Sequence, residues 1–374
     1  MKIVFRVDAS LQIGSGHVMR CLTLADALSK KGDECSFICR DHQGNLIDLV
    51  REKGYFTSVL TCQSDFAARS QQPLGYFDKP VLDHAGWLGC SQKGDAIDCL
   101  DYLEKVQPDW LVVDHYALDK RWEAMLRPFC GKIMVIDDLA DRMHECDLLL
   151  DQTFRRRPID YILRVPRDCQ LLCGSNYALL RPEFLSWRSY SLGRRSAPQL
   201  RRVLITLGGV DKDNVTGRIL SALNVGVLPG DSRITVIMGG KAPWLDDVRQ
   251  RASDMVCRTE VLVGVSNMAE LMANSDLAIG AAGATSWERC CLGLPSLMVV
   301  LADNQLFAAE LLKEAGAALT LPVDETLPTN LNRVLVELSQ KKLLLKALGD
   351  NASEITDGNG CERVADILAE EVFK

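Results

Sequence analysis

Short apolar runs alternate with amphipathic helical runs along almost the whole chain, and no other feature of the sequence limits the fold as strongly. Lys2–Val7 and Glu34–Arg40 have the length and composition of strands, whereas His17–Lys31 has apolar residues at three- and four-residue steps. Strands that alternate with helices form parallel sheets with both faces covered. The sequence therefore predicts an α/β protein built from doubly wound sheets.

The alternation is interrupted once, by the polar and basic stretch Leu192–Arg202, and restarts at Val203. This break predicts an N-terminal domain over residues 1–191, a linker over 192–202 and a C-terminal domain over 203–374. The last helix is a candidate to pack back on the N-terminal domain. Each doubly wound domain has a crevice at the carboxyl ends of its strands, and a ligand is expected in the cleft between two such domains.

Composition excludes several classes of protein. A formal charge of −7 and a pI near 5.4 argue against broad binding to nucleic acid or to an anionic membrane. No apolar run reaches the roughly 18 residues that span a bilayer, and Met1–Asp8 runs directly into a strand rather than a signal peptide. The 14 cysteines include no Cys-x-x-Cys pair. We therefore expect a cytoplasmic protein with reduced cysteines and no metal, with a zinc site as the minority alternative.

The segment DLAIGAAGATSWERCCLGLP, Asp276–Pro295, predicts a buried strand, a glycine loop and a helix. Thr285 and Ser286 are good N-cap residues, and Glu288 lies in the first turn that they would open. A helix that starts after a glycine loop presents unpaired N–H groups and a partial positive charge, which favours an anion site. Glu288 would then lie beside a bound nucleotide and accept hydrogen bonds from ribose hydroxyls. An ordinary strand-to-helix turn, with glycines needed for packing, explains the same stretch.

A second chemical motif, GSGH, opens the first predicted helix at His17. The positive end of a helix disfavours a histidine cation, so the imidazole is expected to be neutral, as a general base requires. Asp8, at the carboxyl end of the preceding strand, is predicted to orient it. The alternative is a histidine that bonds to backbone near the cap. The motif lacks the third glycine of a dinucleotide-binding fingerprint, so it gives weak evidence for NAD.

Three other candidate contact sites follow predicted strands. His115 either faces the cleft or is satisfied by its neighbours, while Gly208–Gly209 permits close approach of a domain or a ligand. The amides of Asn304 and Gln305 either contact a sugar or phosphate or belong to a helix start capped by Asp303. The remaining histidines are predicted to lie on the surface or in loops: His42, His84 and His144.

Taken together, RVDASLQIGSGHVMRCLTLADAL, LVVDHY, VLITLGGVD and GAAGATSWERCCLGLPSL with DNQ resemble the UDP-2,4-diacetamido-2,4,6-trideoxy-β-L-altropyranose hydrolases of pseudaminic acid biosynthesis. These enzymes are relatives of the MurG-type glycosyltransferases. The resemblance implies a GT-B-like fold with two facing Rossmann-like domains. It also implies attack of water on the anomeric carbon with inversion, which releases UDP and the free sugar without a cofactor or a metal. A UDP-sugar is then the expected partner of a monomeric enzyme that binds neither nucleic acid nor membrane.

The resemblance also implies roles for individual residues. His17 would activate the water, with Asp8 and Ser15 close by. The loop at 280–284 would hold the diphosphate together with Thr285 and Ser286, Glu288 would contact ribose, and backbone around Val263–Gly264 would pair with uracil. The full set of expected substrate contacts is Arg6, Gly14, Ser15, Gly16, Arg20, His115, Gly208, Gly209, Val263, Gly264, Ala281, Ala282, Gly283, Ala284, Thr285, Ser286, Glu288, Asn304 and Gln305.

Two other functions fit the same residues. A MurG-like transferase would pass the sugar to an acceptor hydroxyl, although the first domain lacks the apolar, basic membrane-docking run usual for that type. A non-catalytic UDP-sugar-binding protein would use the same cleft, but His17 would then have no evident function. The segment Phe66–Cys90 is absent from the shortest members of the hydrolase family and is predicted to be either a lid or a passive insertion.

Overall fold

The structure is a computed structural model that describes residues 1–61, 82–240 and 242–371. The chain forms two compact units, Met1–Leu179 with Cys361–Lys374, and Leu180–Gly360. Among the described residues, no helix is both long and apolar enough to cross a membrane. Residues 66–81 of the predicted lid or insertion lie outside the described residues.

All paired strands run parallel. The first unit has a seven-stranded sheet in the order β3-β2-β1-β4-β5-β6-β7, and the second a six-stranded sheet in the order β10-β9-β8-β11-β12-β13. The strands are β1 Lys2–Val7, β2 Glu34–Arg40, β3 Phe56–Leu60, β4 Trp110–Asp114, β5 Lys132–Ile136, β6 Leu148–Asp151, β7 Gln170–Cys173, β8 Arg202–Thr206, β9 Arg233–Met238, β10 Arg258–Val263, β11 Leu277–Ala281, β12 Ser296–Val299 and β13 Leu319–Leu321.

Helices connect most successive strands, as is usual for parallel pairing. The exceptions are β5 to β6, joined by residues 137–147 without a helix, and β6 to β7, joined through a 3₁₀ turn at Pro158–Asp160. Within the described residues the α-helices are α1 Gly16–Lys30, α2 Ile47–Glu52, α3 Gln92–Val106, α4 Lys120–Leu126, α5 Pro182–Arg195, α6 Val215–Leu223, α7 Leu245–Ser253, α8 Met268–Ala273, α9 Thr285–Cys291, α10 Leu306–Glu314, α11 Leu327–Gln340, α12 Lys342–Ser353 and α13 Gly360–Glu371.

Alternate side chains of the central strands fill cores on both faces of the first sheet. Phe5 packs with Leu22 of α1 and Leu368 of α13, whereas Val4 packs with Leu103 of α3 and Trp122 of α4. These side chains are almost completely buried. This two-sided burial is why the sequence shows β1 and β4 as continuous apolar runs.

The last helix belongs to the first unit. The indole Nε1 of Trp110, on β4, donates a hydrogen bond of 3.2 Å to the carbonyl oxygen of Leu368, and Val364 and Leu368 are fully buried in the core of that unit. The apolar face of α13 therefore packs on the sheet of the first unit, although the two are far apart in the sequence.

The predicted linker at 192–202 does not separate the two units. Helix α5 continues into it, and both belong to the second unit. Arg195 is almost buried and donates to the carbonyl oxygens of Met272 and Ser275, and Arg194 forms an ion pair of 2.5 Å with Asp276. The arginines that resembled a solvent-exposed linker in the sequence thus pack against the end of α8, where helix carbonyls lack partners.

Each sheet has a topological switch point. Strands before it in the chain are added on one side of the first strand, and strands after it are added on the other side. The switch point lies between β1 and β4 in the first unit and between β8 and β11 in the second. In doubly wound sheets the loops at the carboxyl ends of the two strands part here and leave a crevice for ligands. Both chemical motifs of the sequence lie at these points.

Candidate active site

His17 lies in the first turn of α1, and its ring reaches the last residue of β4. Its Nδ1 is 2.6 Å from Oδ1 of Asp114, and its side chain is 10% exposed. A carboxylate only accepts hydrogen bonds, so Nδ1 of a neutral ring donates this bond and the lone pair is at Nε2. This tautomer has the form that a general base needs.

Asp114 is held in place from its other side by Arg20. The guanidinium bonds to both carboxylate oxygens, at 2.6 and 2.7 Å, and to Oδ2 of Asp138 at 2.6 Å. Burial opposes ionisation of Asp114, but the charge of Arg20 and the bonds from Arg20 and His17 outweigh it and hold the pKa of Asp114 well below its usual range. Asp114 therefore stays charged and can stabilise a protonated imidazole.

Aromatic rings surround the imidazole. Tyr116 meets His17 edge to face, with ring centroids 4.6 Å apart, and donates its hydroxyl to Asp138 at 2.7 Å. Trp87 stacks on Tyr116 at 5.7 Å and lies 6.4 Å from His17. Contacts with these rings and with Asp114 fix the ring plane of His17. Trp87 comes from the described part of the segment that the sequence left as a lid or an insertion.

The predicted partner of His17 was wrong: Asp114, rather than Asp8, bonds to its Nδ1. Asp8 is fully buried, and its Oδ1 accepts from Nη1 of Arg6 and from the backbone N–H of Arg40, both at 2.6 Å. Burial opposes ionisation of Asp8, but the charge of Arg6 keeps its pKa well below the usual range. Asp8 and Arg6 thus form part of a buried ion-pair network rather than a surface for substrate.

His115 extends that network. Its Nδ1 accepts a bond of 3.1 Å from the N–H of Ala117, and its Nε2 lies 3.3 Å from Oδ2 of Asp8. Burial lowers the pKa of His115, which is 3% exposed. His115 is therefore enclosed by its neighbours, although its Nε2 makes no hydrogen bond among the described residues.

The other three histidines lie in loops, one of the two predicted settings, and none of them is exposed. His144 is buried with its Nδ1 2.8 Å from Oε1 of Glu123, and His42 lies 3.5 Å from Asp8. The ring of His84 lies 4.4 Å from that of Trp87, and burial lowers the pKa of His84. A single sequence gives no signal for the contacts of His42 and His144, because Asp8 and Glu123 are more than 20 residues away from them in the chain.

The loop before α1 leaves its backbone accessible. Gly14 has a φ of +79° and donates to the carbonyl oxygen of Ser10, and no atom lies within 4 Å of a Cβ added at Gly14 or Gly16. Ser15 is exposed, and its hydroxyl makes no capping bond. This GSG loop therefore lies open next to His17, as a substrate-binding loop would.

In the second unit, glycines line the carboxyl ends of four neighbouring strands. Gly208 and Gly264 have positive φ angles of +89° and +62°, and a Cβ added at Gly239 would lie 2.2 Å from the carbonyl oxygen of Gly209. The loops after β8 and β9 thus touch through backbone alone. Val263 ends β10, the edge strand on this side of the sheet, and Gly264 follows it.

The loop after β11 leaves three consecutive backbone N–H groups available. Those of Gly283, Ala284 and Thr285 have no hydrogen-bond partner among the described residues, whereas those of Ala282 and Ser286 bond to carbonyl oxygens. Ala281 and Ala282 are buried, and Ala284 is exposed. Adjacent free N–H groups at the start of a helix form a favourable environment for an anion.

Thr285 and Ser286 do not cap the helix, contrary to the prediction. The residue before α9 is Ala284, and both hydroxyl oxygens instead accept from Arg289, at 3.2 and 2.9 Å. The side chain of Ser286 is therefore turned inward, and the residue is 2% exposed. Ser286 is not placed to contact a ligand through its hydroxyl.

Two polar side chains lie close to this loop. The carboxylate of Glu288 is 17% exposed and 3.6 Å from Nη2 of Arg181, and burial raises its pKa against the opposing charge of Arg181. Gln305 accepts a bond from the N–H of Leu301 through Oε1, and its Nε2 lies 4.0 Å from a Cβ added at Gly283. Asn304 is exposed on the same turn. The predicted ribose and phosphate contacts are thus grouped around one loop.

No group of three or more His, Cys, Asp or Glu residues suited to a metal ion occurs in the described parts of the chain. The residues that sequence reasoning missed are Asp114 as the partner of His17, Tyr116 and Trp87 as its ring neighbours, and Arg289 behind the glycine loop. The motif WLVVDHY held the signal for Asp114, because its acid ends a strand.

Residues 203–363 match the family model for the glycosyltransferase family 28 C-terminal domain. The chain is 26% identical over 317 residues to the UDP-2,4-diacetamido-2,4,6-trideoxy-beta-L-altropyranose hydrolase of Campylobacter jejuni, covering 84% of this chain and 97% of that enzyme. It is also 26% identical to an uncharacterized protein of Methanocaldococcus jannaschii, covering 82% of this chain but only 56% of the archaeal protein.

The fold is similar to that of MurG from Acinetobacter baumannii. The two structures have a TM-score of 0.69 at 17% sequence identity, with 99% of each chain covered. Two Rossmann-like domains with parallel sheets of seven and six strands therefore place the chain among proteins of the GT-B fold. This confirms the predicted fold class.

Proposed function

We propose that the protein acts on a UDP-sugar and, specifically, that it hydrolyses UDP-2,4-diacetamido-2,4,6-trideoxy-β-L-altropyranose. The observation that carries the catalytic part is the bond between Nδ1 of His17 and Asp114, which leaves the lone pair of Nε2 available for a proton. The similarity to the Campylobacter jejuni hydrolase supports the choice of substrate.

In the proposed reaction, Nε2 of His17 takes a proton from water while the water oxygen bonds to the anomeric carbon. The bond from that carbon to the UDP oxygen breaks, and its electron pair leaves with UDP, so the configuration at the carbon inverts. Asp114, which Arg20 keeps ionised, stabilises the imidazolium that forms. The imidazolium then returns its proton to solvent or to the departing phosphate.

The second unit would hold the nucleotide. The free N–H groups of Gly283, Ala284 and Thr285 would bind the diphosphate and take up the charge that develops on the leaving group. Glu288 would accept from ribose hydroxyls in place of its contact with Arg181, and backbone at Val263–Gly264 would pair with uracil. Asn304 and Nε2 of Gln305 would reach the phosphates or the sugar.

The test is release of UDP from the sugar nucleotide with water as the only acceptor, in oxygen-18-labelled water. Label on the anomeric carbon of the released sugar is the expected result, and label on phosphate would overturn the mechanism. His17→Ala is expected to abolish turnover while UDP still binds. EDTA should leave the rate unchanged, because the proposed mechanism uses no metal.

A glycosyltransferase reaction is the second candidate. It is favoured by the match to the family 28 C-terminal domain and by the structural similarity to MurG. The same base would then activate an acceptor hydroxyl instead of water. An enzyme that binds the UDP-sugar but releases no UDP until an acceptor alcohol is added would support this function over hydrolysis.

A further inference from the structure

Arg289 lies almost completely buried behind the glycine loop of the second unit. It is 1% exposed, and its guanidinium reaches back from α9 to the first turn of the same helix. Nη2 donates to the carbonyl oxygen of Ala281 at 2.8 Å and to Ser286 Oγ at 2.9 Å, and Nη1 donates to Thr285 Oγ1 at 3.2 Å. One side chain therefore fastens both ends of the loop.

Arg289 has no carboxylate within ion-pair distance in the part of the chain that the structure describes. Burial lowers its pKa to about 10, and Glu288, whose charge opposes this, is itself in contact with Arg181 at 3.6 Å. Within that part of the chain all hydrogen-bond acceptors of Arg289 are neutral, and its buried Nε has no acceptor. Fully buried Arg6 and Arg40, in contrast, both pair with Asp95. A buried charge without an ion-pair partner destabilises a folded protein, so a bound anion would stabilise this arrangement.

A second buried arginine shows what a purely structural role looks like. Arg195 also lacks a carboxylate partner among the described residues, but its guanidinium donates to the carbonyl oxygens of Met272, Ala273 and Ser275 at the end of α8. That end of a helix carries partial negative charge and compensates the cation. The guanidinium of Arg289 lies instead at the start of α9, where the helix dipole is also positive.

Gly280 makes room for this arginine. A Cβ added there would lie 2.5 Å from Nη1 of Arg289 and 3.1 Å from the carbonyl oxygen of Thr206. The first glycine of the GAAGA motif is thus required by the guanidinium, while Gly283, with space around it, is free to approach a ligand. The motif combines a packing glycine and a binding glycine.

We infer that Arg289 is a positioning residue for a nucleoside diphosphate, whose negative charge supplies the close counter-charge that Arg289 lacks among the described residues. By accepting from Arg289, the Ala281 carbonyl and the hydroxyls of Thr285 and Ser286 fix the loop, so that the N–H groups of Gly283, Ala284 and Thr285 remain available to the phosphates. The inference rests on the proposed nucleotide-binding role. It deepens that role by assigning to Arg289 the preference of this site for a diphosphate over an uncharged nucleoside.

The test is Arg289→Met, which keeps most of the volume and removes the charge. Calorimetry with UDP and with uridine is expected to show a UDP-to-uridine affinity ratio at least about tenfold lower than in the wild type, with uridine affinity unchanged. Without ligand, the variant should melt at the same temperature or higher, because a buried unpaired charge has been removed. Its stabilisation by UDP should shrink in proportion to the lost affinity.

Arg195→Met is the matched control, because it removes another buried arginine of the same unit and should leave the UDP-to-uridine ratio unchanged. An unchanged ratio in folded Arg289→Met would overturn the inference. If that variant does not fold, Arg289→Lys and Arg289→Gln replace it: a charged lysine should retain more UDP preference than a neutral glutamine, and equal ratios would refute the role of charge. A wild-type protein that binds uridine as tightly as UDP would instead refute the proposed nucleotide site.

Discussion

The catalytic assignment depends most directly on Asp114, and Asp114→Asn tests it. Asparagine matches the shape of aspartate but carries no charge, and it can donate to Nδ1 of His17 through its amide. The histidine would then carry its hydrogen on Nε2, where the proposed base needs a lone pair. Arg20 would keep Asp138 as its remaining carboxylate partner, at 2.6 Å.

The size of the effect follows from the distances. Two unit charges about 4 Å apart attract each other by about 4 kcal/mol at an effective dielectric constant of about 20. Arg20, 3.4 Å from Nδ1 of His17, is present in both proteins, so its repulsion of an imidazolium does not enter the difference. Because the proton is only partly transferred in the transition state, the imidazole carries less than a full charge and only part of the attraction to Asp114 is lost. A remaining effect of about 3 kcal/mol corresponds to a loss in kcat of about two orders of magnitude.

The assay is steady-state release of UDP, with UDP affinity measured in parallel by calorimetry. Asp114→Asn should lower kcat about 100-fold and leave UDP affinity near that of the wild type. The matched control is Asp151→Asn, since Asp151 is also a buried acid at a strand end in the first unit and pairs with Arg156 at 2.5 Å. A kcat for Asp114→Asn within about threefold of the control would show that Asp114 does not serve the base.

Three further predictions address the surrounding residues. Asp8→Asn should lower the free energy of unfolding at pH 7 by about 3 kcal/mol and affect kcat less, because it breaks a buried ion pair. The pKa of Asp8 is lowered in the folded state, so its contribution to stability is present above about pH 4 and is lost as the pH falls further. The free energy of unfolding in urea, measured between about pH 5 and 3, should therefore depend less on pH in the variant than in the wild type. An equal dependence on pH in the two proteins would contradict this. Trp87→Ala should lower kcat about tenfold by loosening the rings around His17, and Trp87→Phe should restore most of it; equal losses would mean that no ring is needed. Glu288→Gln should reduce the preference for UDP over 2′-deoxy-UDP by about tenfold, and titration calorimetry that finds the preference intact would remove Glu288 from the ribose site.

Local sequence patterns predicted the central strands well. The predicted bounds Lys2–Val7 and Glu34–Arg40 are those of β1 and β2. These strands are short apolar runs between turn residues, so the residues next to each strand indicate where it begins and ends. The end of helix α5 was not predicted, because its arginines have the composition of a linker. The groups that bind these arginines lie about 80 residues away in the sequence.

The candidate site divides in the same way. Sequence showed that His17 and the GAAGA loop lie where strands give way to helices, because glycines and helix starts are local signals. It did not show which carboxylate meets His17, since that depends on β4 pairing beside β1. It also assigned Thr285 and Ser286 as caps, although both hydroxyls accept from Arg289 in the folded unit.

By itself, then, the sequence determined the α/β class and the two loops where chemistry is expected, because hydrophobic period and glycine placement act over a few residues. Only the tertiary structure decided that Asp114 supports His17, that Asp8 belongs to a buried ion-pair network and that Arg289 lies unpaired behind the glycine loop. The physical reason is that a side chain's charge environment is set by whichever strands and helices pack around it, and that packing joins residues far apart in the chain.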